Sequence, residues 1–174
     1  MAEFTHFNTH GDAIMVDVSE KKDTLREATA RGRILMNKEC FQKVRDGQMK
    51  KGDVLQVARV AGIMGTKKTS DLIPLCHILN LSKVEIDFEL HEDTCSIIAA
   101  CTARTVGKTG VEMEALCGVS ASLLTIYDMC KAIDKHMVIS DIHLVYKEGG
   151  KSGRFTFDKE DTEGKNESSG DYGK

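Results

Sequence analysis

The sequence predicts an α+β fold of the ferredoxin-like kind, an antiparallel sheet with helices packed on one face. Three observations lead to this prediction. Several segments alternate apolar and polar residues with the period of two that is typical of strands. Two largely apolar segments without that alternation are typical of buried helices. Read along the chain, these segments follow the order βαββαβ, which is the ferredoxin-like order.

The first half of the chain supplies one strand and a helical region. Alternation from Glu27 to Met36 predicts the first strand. Asn37 is placed to cap a short helix, and Asp53, followed three residues later by glutamine, resembles a capping box. The helix it opens, Val54 to about Met64, is apolar almost all round, which predicts burial on most sides. Pro74, the only proline, stops any helix that reaches it.

The second half supplies a hairpin, a long helix and a last strand. Lys83 to Leu90 alternates strictly, and a tight turn leads into a partner strand from Thr94 to Val106. A glycine-bounded loop then opens a helix that we expect to reach Lys135. Ile139 to Lys147 closes the sheet as its last strand.

Length and charge predict one domain and a tail. The chain has 174 residues, which suits a single domain, here residues 1–157. Residues 158–174 lack apolar periodicity and hold six acids and three bases, so the net charge of −3 lies wholly in this acidic tail, which we expect to be disordered. The remaining body is neutral. A neutral body argues against sequence-independent nucleic-acid binding, which requires a basic face.

Cysteine spacing and hydropathy exclude further classes. The six cysteines include no Cys-x-x-Cys pair, so we expect reduced thiols rather than a zinc site or a disulfide framework. No run of 18 apolar residues exists, which predicts no membrane span. The first ten residues lack a signal-peptide pattern, so the expected location is the cytoplasm.

The long helix predicts self-assembly. Its residues 115–127 carry no charge, and opposite the core stripe the side chains are small, Gly118 and Ala121 among them. A solvent-facing helix surface normally carries Lys and Glu. We therefore expect this second face to lie against another copy of the chain.

Several polar residues are candidates for chemistry. Lys51 and Lys108 each adjoin a glycine just before a predicted helix, where a positive charge and free amides favour a compact anion. Asp128 and Lys131 are three residues apart on one helix face, so they form either a surface ion pair or an acid/base pair. His77 follows an apolar segment and is either a hydrogen-bonded structural residue or a ligand.

Taken in order, longer stretches of the sequence resemble the MoaC family, cyclic pyranopterin monophosphate synthases of molybdenum-cofactor biosynthesis. The stretches are MVDVS at 15–19, KGDV at 51–54, AGI at 61–63, DLIPLCH at 71–77, LSKVE at 81–85, GKTGVEMEAL at 107–116, LTIYDMCKA at 124–132 and GGKSG at 149–153. The resemblance covers about residues 5–157. It departs from the family pattern at Ile78, at Gly65-Thr66 and at Cys117-Gly118, none of which is a charged site residue.

The resemblance implies a function. The expected enzyme is a lyase that rearranges 3′,8-cyclo-7,8-dihydro-GTP to cyclic pyranopterin monophosphate and releases pyrophosphate. It implies catalytic roles in proton transfer for Lys51, Asp128 and Lys131, and a phosphate-holding role for His77 and Lys108. The full set of substrate-binding residues that it implies is Leu75, Cys76, His77, Met113, Glu114, Glu112, Lys67, Arg104, Lys108 and Lys147.

The same resemblance implies the assembly and the partners. No cofactor is required, although magnesium can accompany the triphosphate. The expected assembly is a homohexamer, a trimer of dimers with sites at subunit interfaces, coupled functionally to the radical SAM cyclase that makes the substrate. Nucleic acid and membrane are not expected partners.

Two other functions are alternatives to this enzyme. The βαββαβ order also builds RNA-recognition domains, but those stack bases on strand aromatics. Trp is absent here, and the hairpin strands offer only Phe88, in the row expected to face the core. A regulatory nucleotide-binding oligomer is the stronger alternative, because anion pockets alone would satisfy it. Release of pyrophosphate from the cyclised nucleotide distinguishes it from the enzyme.

Overall fold

A computed structural model describes residues 10–151 and 153–157 of the chain. Five strands form one antiparallel sheet, and the helices lie against one face of it. In chain order the elements are β1 Thr24–Leu35, α1 Lys38–Arg45, α2 Val54–Lys67, α3 Thr69–Leu72, β2 Leu81–His91, β3 Ser96–Gly107, α4 Glu112–Cys130, β4 Val138–Glu148 and β5 Phe155–Thr156.

The sheet has the strand order β2-β3-β1-β4-β5, and each neighbouring pair is antiparallel. Its first four strands have the ferredoxin-like connectivity, so the predicted α+β class is confirmed. The two long pairings centre on β1, which runs beside β3 from Thr24↔Gly107 to Leu35↔Ser96. The two-residue β5 extends the β4 edge and was not predicted, because a segment this short carries no periodicity.

The two faces of the sheet differ in character. Ala28 and Ala30 of β1 and Ala99 of β3 are fully buried beneath the helices. The opposite face carries polar pairs across the strands. These are an Arg31–Glu89 ion pair at 2.5 Å, a Thr29–Thr102 hydroxyl contact at 2.9 Å and a Glu27–Arg104 ion pair. Phe88 packs against the core, so it offers no platform for stacking bases.

Both predicted helix caps are present. The Asn37 side chain accepts a hydrogen bond from the amide of Cys40 at 2.8 Å. One Asp53 oxygen, Oδ1, accepts from the amides of Leu55 and Gln56, each at 3.1 Å. These bonds satisfy amides in the first helical turn that have no partner within the helix.

The predicted end of α4 at Lys135 is wrong, because the helix stops at Cys130. Ile133 and Asp134 both donate their amides to the carbonyl of Cys130, which closes the helix with a tight turn. The Asp134 carboxylate then accepts from the amides of Asn37 at 2.7 Å and His136 at 2.8 Å. Periodicity alone could not locate this end, because the stop depends on a contact with the distant α1.

The small residues of α4 have a different neighbour from the one expected. Gly118 and Ser122 are buried against α2 of the same chain, and the Ser122 hydroxyl donates to the carbonyl of Ala58 at 3.2 Å. The prediction that Gly118 lies against another subunit is therefore wrong. Small side chains there let two helices of one chain approach closely.

The prediction that α2 is buried on most sides is also wrong within one chain. Val57, Val60 and Met64 are 45%, 61% and 49% exposed. Because they are spaced three and four residues apart, they form one stripe on the outer side of the helix layer. Leu124 of the neighbouring α4 is 61% exposed as well. Together, Val57, Val60, Met64 and Leu124 are the apolar stripe discussed below.

The remaining predictions concern the ends of the chain and its compartment. The predicted single domain spans both described ranges, whereas the predicted tail at 158–174 lies outside the described residues. In the described part of the chain, no helix is long and apolar enough to span a bilayer. All six cysteines are free thiols in the structure, and three of them, Cys40, Cys101 and Cys130, are fully buried.

Candidate active site

A cleft of about 1120 Å³ lies at the N-terminal end of α4. Four segments line it: residues 16–26, 75–79, 108–114 and 147–151. They meet here because β3 ends at Gly107 and α4 begins at Glu112, so the intervening loop sits beside the start of β1 and the end of β4. The sheet register therefore builds the cleft from parts of the chain that are far apart in sequence.

One wall of the cleft is basic. The Lys108 ammonium donates to the Ser19 carbonyl at 2.6 Å, and His77 Nε2 lies 2.9 Å from the Val16 carbonyl. Arg26 donates its guanidinium to the carbonyls of Gly107 and Lys108, at 3.4 and 3.3 Å. The N-terminal segment thus holds the two side chains predicted to bind phosphate. The Lys108 ammonium carries two further donors for an anion.

The opposite wall is acidic. Glu112 forms an ion pair with Lys147 at 2.9 Å, and both side chains are largely shielded from solvent. Glu114 is only 5% exposed, and its burial, assisted by the negative charge of Glu112, raises the pKa of its carboxyl. Burial also raises the pKa of the neighbouring Cys76 thiol, and the Glu114 charge adds to this. This wall therefore holds two different acids. Glu114 retains its proton more readily than an ordinary glutamate, whereas the negative charge of Glu112 is balanced by Lys147.

A second cluster lies at the other end of α4. The Lys131 ammonium contacts Asp128 Oδ1 at 2.7 Å, and the Lys51 ammonium lies 3.7 Å from Asp128 Oδ2 and 3.1 Å from its carbonyl. The Lys131 hydrogen bond and charge, reinforced by Lys51, lower the pKa of Asp128. The three residues predicted to act together, Lys51, Asp128 and Lys131, are indeed neighbours.

Asp128 and Lys131 form an ion pair at the surface of the single chain. The Lys131 side chain is 53% exposed, so burial does not lower its pKa. The hydrogen bond and charge of Asp128 instead raise the pKa of Lys131. An ammonium ion beside a carboxylate is the resting state of this pair.

The structure divides the predicted site residues into groups. The cleft gathers eight of them: Leu75, Cys76, His77, Lys108, Glu112, Met113, Glu114 and Lys147. Lys67, exposed at the end of α2, and Arg104, on the polar face of the sheet beside Glu27, lie outside this cleft. The Lys51 cluster also lies outside it, because 16 residues of helix separate Glu112 from Asp128, about 24 Å at 1.5 Å per residue.

Comparison with known proteins identifies the family of this chain. A family model described as the MoaC family matches residues 15–150, which spans every segment of the cleft except residue 151, and the Lys51 cluster. The chain belongs to the MoaC family. Every residue predicted to bind or act on substrate lies within the matched range.

Curated relatives of this MoaC chain match over almost their whole length. A protein of Peptoclostridium acidaminophilum is 63% identical over 88% of this chain and 96% of its own. One from Heliobacterium modesticaldum is 61% identical over 89% of this chain and 98% of its own. One from Roseiflexus is 56% identical over 91% of this chain and 100% of its own. All three carry the name cyclic pyranopterin monophosphate synthase.

The cleft of this MoaC chain also contains bases that the sequence did not single out as site residues. They are Lys21, Lys22 and Arg26. Arg26 sits in a strand that alternates, where it looks like an ordinary outward-facing residue. Its only sequence signal is indirect, because antiparallel pairing with β3 brings the start of β1 to the Lys108 loop.

Within residues 10–151 and 153–157, no group of three or more His, Cys, Asp or Glu side chains is arranged to hold a metal ion. Two of the carboxylates at the candidate sites are paired with cations of the protein. Glu112 is paired with Lys147, and Asp128 with two lysines.

Proposed function

We propose that this MoaC-family chain is a cyclic pyranopterin monophosphate synthase, a lyase acting on 3′,8-cyclo-7,8-dihydro-GTP with release of pyrophosphate. The observation that carries the proposal is identity of 55–63% with relatives of that name, across nearly the whole of each chain. The cleft is compatible with it because basic side chains line one wall and a buried carboxyl lines the other.

The basic wall is suited to the triphosphate. Forming a cyclic monophosphate requires a sugar-derived hydroxyl to attack the α-phosphorus while the bond to the β-phosphate oxygen breaks and pyrophosphate leaves. Negative charge grows on that leaving group, and fixed cations lower the barrier by stabilising it. Lys108 and Arg26 supply such cations on this wall, and His77 supplies a further donor. Lys147, paired with Glu112 on the opposite wall, adds a third cation.

The Lys51 cluster is suited to proton transfer. Rearranging the purine-derived rings requires protons to be removed from some atoms and delivered to others. Asp128 is ionised near neutral pH, since its pKa is lowered by Lys131 and Lys51, so it can accept a proton. Lys131 carries a proton beside it, which it holds more tightly than a free lysine because Asp128 raises its pKa. Lys51 lies near enough to Asp128 to restore the charge balance afterwards.

Both groups can act on one substrate only if two chains share the site. Their separation of about 24 Å along α4 exceeds the length of a nucleoside triphosphate. A second copy that brings its Lys51 cluster to the cleft of the first resolves this. The apolar stripe is a surface that such a copy would cover, because Val60 and Leu124 are each 61% exposed. We propose the homohexamer, a trimer of dimers, on this basis.

Mixed assembly tests the shared site. His77→Ala disables the cleft and Lys51→Ala disables the cluster, so each variant alone should be inactive. Co-refolded in equal amounts, they should regain about one quarter of wild-type turnover, because one intact cleft can then meet one intact cluster. Two Lys51→Ala preparations mixed in the same way provide the control. No recovery in a mixture that light scattering shows to have exchanged subunits would mean that each chain holds its own site.

Substrate turnover tests the activity itself. Wild-type protein incubated with the cyclised nucleotide should release one pyrophosphate per substrate consumed, measured with a coupled phosphatase assay. A stable complex without pyrophosphate would instead support the regulatory nucleotide-binding oligomer. The proposal includes a cytoplasmic location, no resident cofactor apart from magnesium on the triphosphate, and functional coupling to a radical SAM enzyme that forms the 3′,8 bond.

A further inference from the structure

A buried carboxylate joins the turn after α4 to the start of α1. Asp134 is only 4% exposed, and each of its two oxygens accepts a hydrogen bond from one backbone amide. Oδ2 accepts from Asn37 at 2.7 Å, and Oδ1 accepts from His136 at 2.8 Å. Hydrogen bonds to a carboxylate are shorter and stronger than those between neutral groups. Asp134 therefore fastens the start of α1 to a turn that lies 97 positions later in the sequence.

The Asp134 backbone lies in the turn that follows α4. Its amide donates to the Cys130 carbonyl at 3.2 Å, so the turn folds back onto the last residue of the helix. Between these two residues lies Lys131, whose amide donates to the Tyr127 carbonyl at 2.9 Å. The Tyr127 hydroxyl donates to the carbonyl of Lys135 at 3.2 Å. The backbone from Lys131 to Lys135 is thus held to the end of α4.

The other partner of Asp134 begins the segment that carries Lys51. Asn37 caps α1, and after this helix the chain turns and reaches Lys51. The Gln48 amide donates to the Lys43 carbonyl at 2.9 Å, which ties the turn to the end of the helix. A displacement of α1 therefore moves Lys51 as well.

The two segments that Asp134 joins meet again at the Lys51 cluster. The Lys51 ammonium donates to the Asp128 carbonyl at 3.1 Å, and the Lys131 ammonium contacts the Asp128 carboxylate at 2.7 Å. Lys131 and Asp128 are three residues apart at one end of α4, so the helix itself makes them neighbours. The place of Lys51 does not follow from α4, because it depends on where α1 lies against that end.

We propose that Asp134 is a positioning residue, which fixes the place of Lys51 beside Asp128. Because Asp134 is buried, it acts through the backbone and not on the substrate. Two amides converge on it, so the side chain must offer two acceptor oxygens. Asparagine would present one acceptor and one N–H donor, and one of the two amides would lose its partner. The effect on catalysis rests on the proposed function, whereas the hold on Lys51 does not.

Loss of this link should lower turnover more than it weakens substrate binding. A displacement of about 1 Å near the reacting groups can lower a rate about 10²-fold, so we expect kcat to fall at least about tenfold. KM should change less, because the basic cleft lies at the other end of α4. Lys131 and, after it, Lys51 lower the pKa of Asp128. With Lys51 displaced, the acidic limb of the kcat profile should therefore move to higher pH.

Two substitutions of Asn37 isolate the hydrogen bond to Asp134. Asn37 has a φ of −70°, which a proline ring accommodates, so Asn37→Pro removes the donated amide and keeps the backbone conformation. Asn37→Ala keeps that amide and, like the proline variant, lacks the side chain that accepts from the Cys40 amide. Both variants lose this cap, and only Asn37→Pro loses the bond to Asp134. Asn37→Pro should release pyrophosphate at least about tenfold more slowly than Asn37→Ala, with the shift of the acidic limb.

Asp134→Asn breaks the same link from the other side. It should reproduce the kcat and pH effects of Asn37→Pro, and the Asn37 pair decides the matter if Asp134→Asn fails to fold. Ile97→Val is the control for a general loss of stability, since it removes one buried methylene group from β3. It should lower the urea midpoint and leave kcat, KM and the pH profile at their wild-type values. An equal loss of kcat in Ile97→Val and Asp134→Asn would overturn the positioning role.

Crystal structures of the two Asn37 variants test the hold on Lys51 without an assay of activity. The Lys51 ammonium should lie farther from the Asp128 carbonyl in Asn37→Pro than in Asn37→Ala, where the 3.1 Å contact should persist. Equal contacts in the two structures would overturn the positioning role, and so would equal kcat values. Wild type that releases no pyrophosphate would count against the proposed function, and the two structures would still decide what holds Lys51.

Discussion

Gly118 of α4 lies directly over Cys101 of β3. A Cβ at position 118 would come within 2.5 Å of the Cys101 sulfur and would also overlap the Thr66 hydroxyl of α2. All three residues are buried. The small residues of α4 therefore determine how closely this helix approaches both the sheet and α2.

Gly118→Ala should accordingly destabilise the fold. Adding one methyl group to a closely packed interior costs about 1–3 kcal/mol, because short neighbours such as Thr66 and Cys101 cannot move aside freely. Urea denaturation measures the loss. Gly107→Ala is the control, since its added Cβ would meet only the Thr105 side chain, at 3.8 Å or more. Equal unfolding midpoints for Gly118→Ala and wild type would show that α4 can shift without cost.

Asp128→Asn tests the proton-transfer cluster. The substitution preserves size but removes the carboxylate that Lys131 and Lys51 keep ionised. Turnover should fall about 10²-fold or more, with little change in substrate binding, as expected for a lost general base. Asp71→Asn is matched to it, because Asp71 also pairs with a lysine three residues away on the surface. Wild-type turnover by Asp128→Asn across pH 6 to 9 would leave Asp128 as no more than an ion-pair partner.

Lys108→Ala tests the basic wall. Losing one charge-assisted contact to a phosphate should weaken substrate binding by about 10- to 100-fold, while the turnover of bound substrate changes less. The measurement is KM and kcat by steady-state pyrophosphate release. Lys38→Ala removes an exposed lysine at the start of α1, away from the cleft, and should change neither constant. If kcat alone fell, Lys108 would act in the chemical step.

Glu114→Gln tests the buried carboxyl through the pH dependence of stability. Burial raises the Glu114 pKa in the folded state, so the folded chain holds this proton more tightly than the unfolded chain. The stabilisation that this proton gives the folded state is complete when the pH is below the pKa of Glu114 in the unfolded chain. It is lost as the pH rises through the pKa of Glu114 in the folded chain. Wild type should therefore lose stability relative to Glu114→Gln as the pH rises above 4.5, the ordinary pKa of a glutamate, in urea titrations.

The control for that prediction has the opposite sign. Glu85 is exposed, and a hydrogen bond and the charge of Lys83 lower its pKa. Wild type should thus gain stability relative to Glu85→Gln as the pH rises towards 4.5, the ordinary pKa of a glutamate, and should show no further relative change above it. Parallel curves for wild type and Glu114→Gln would mean that water reaches the Glu114 carboxyl.

Local features of the fold could be predicted because they depend on residues that are close together in the sequence. Alternation located β1, β2, β3 and β4 to within about three residues at each end, and side chains at Asn37 and Asp53 located two helix starts. The end of α4 could not be predicted, since it depends on Asp134 binding an amide of α1. Gly118 was misassigned for a related reason. Sequence shows that a helix face is small, but not which helix covers it.

In the candidate site, too, contacts between segments that are far apart in sequence were the hardest to predict. Lys51, Asp128 and Lys131 were predicted to be neighbours, and the turn before α2 and the end of α4 do meet. Arg26 was missed, because only the register of β1 against β3 brings it to the Lys108 loop. The sequence left open whether Asp128 and Lys131 form a surface ion pair or an acid/base pair, since exposure depends on packing and not on the apolar residues beside Lys131 in sequence.

The central place of β1 bears on how the chain folds during synthesis. Both edges of β1 find their partners late, at residues 96–107 and 138–148. After residue 35 is made, the ribosome needs roughly 6 to 23 s to reach residue 148, at about 5–20 residues per second. Throughout that time the nascent strand has at least one unpaired edge, which is open to association with other chains. Chaperone binding at this strand, or pauses early in translation, should therefore govern the yield of folded protein more than pauses near the end.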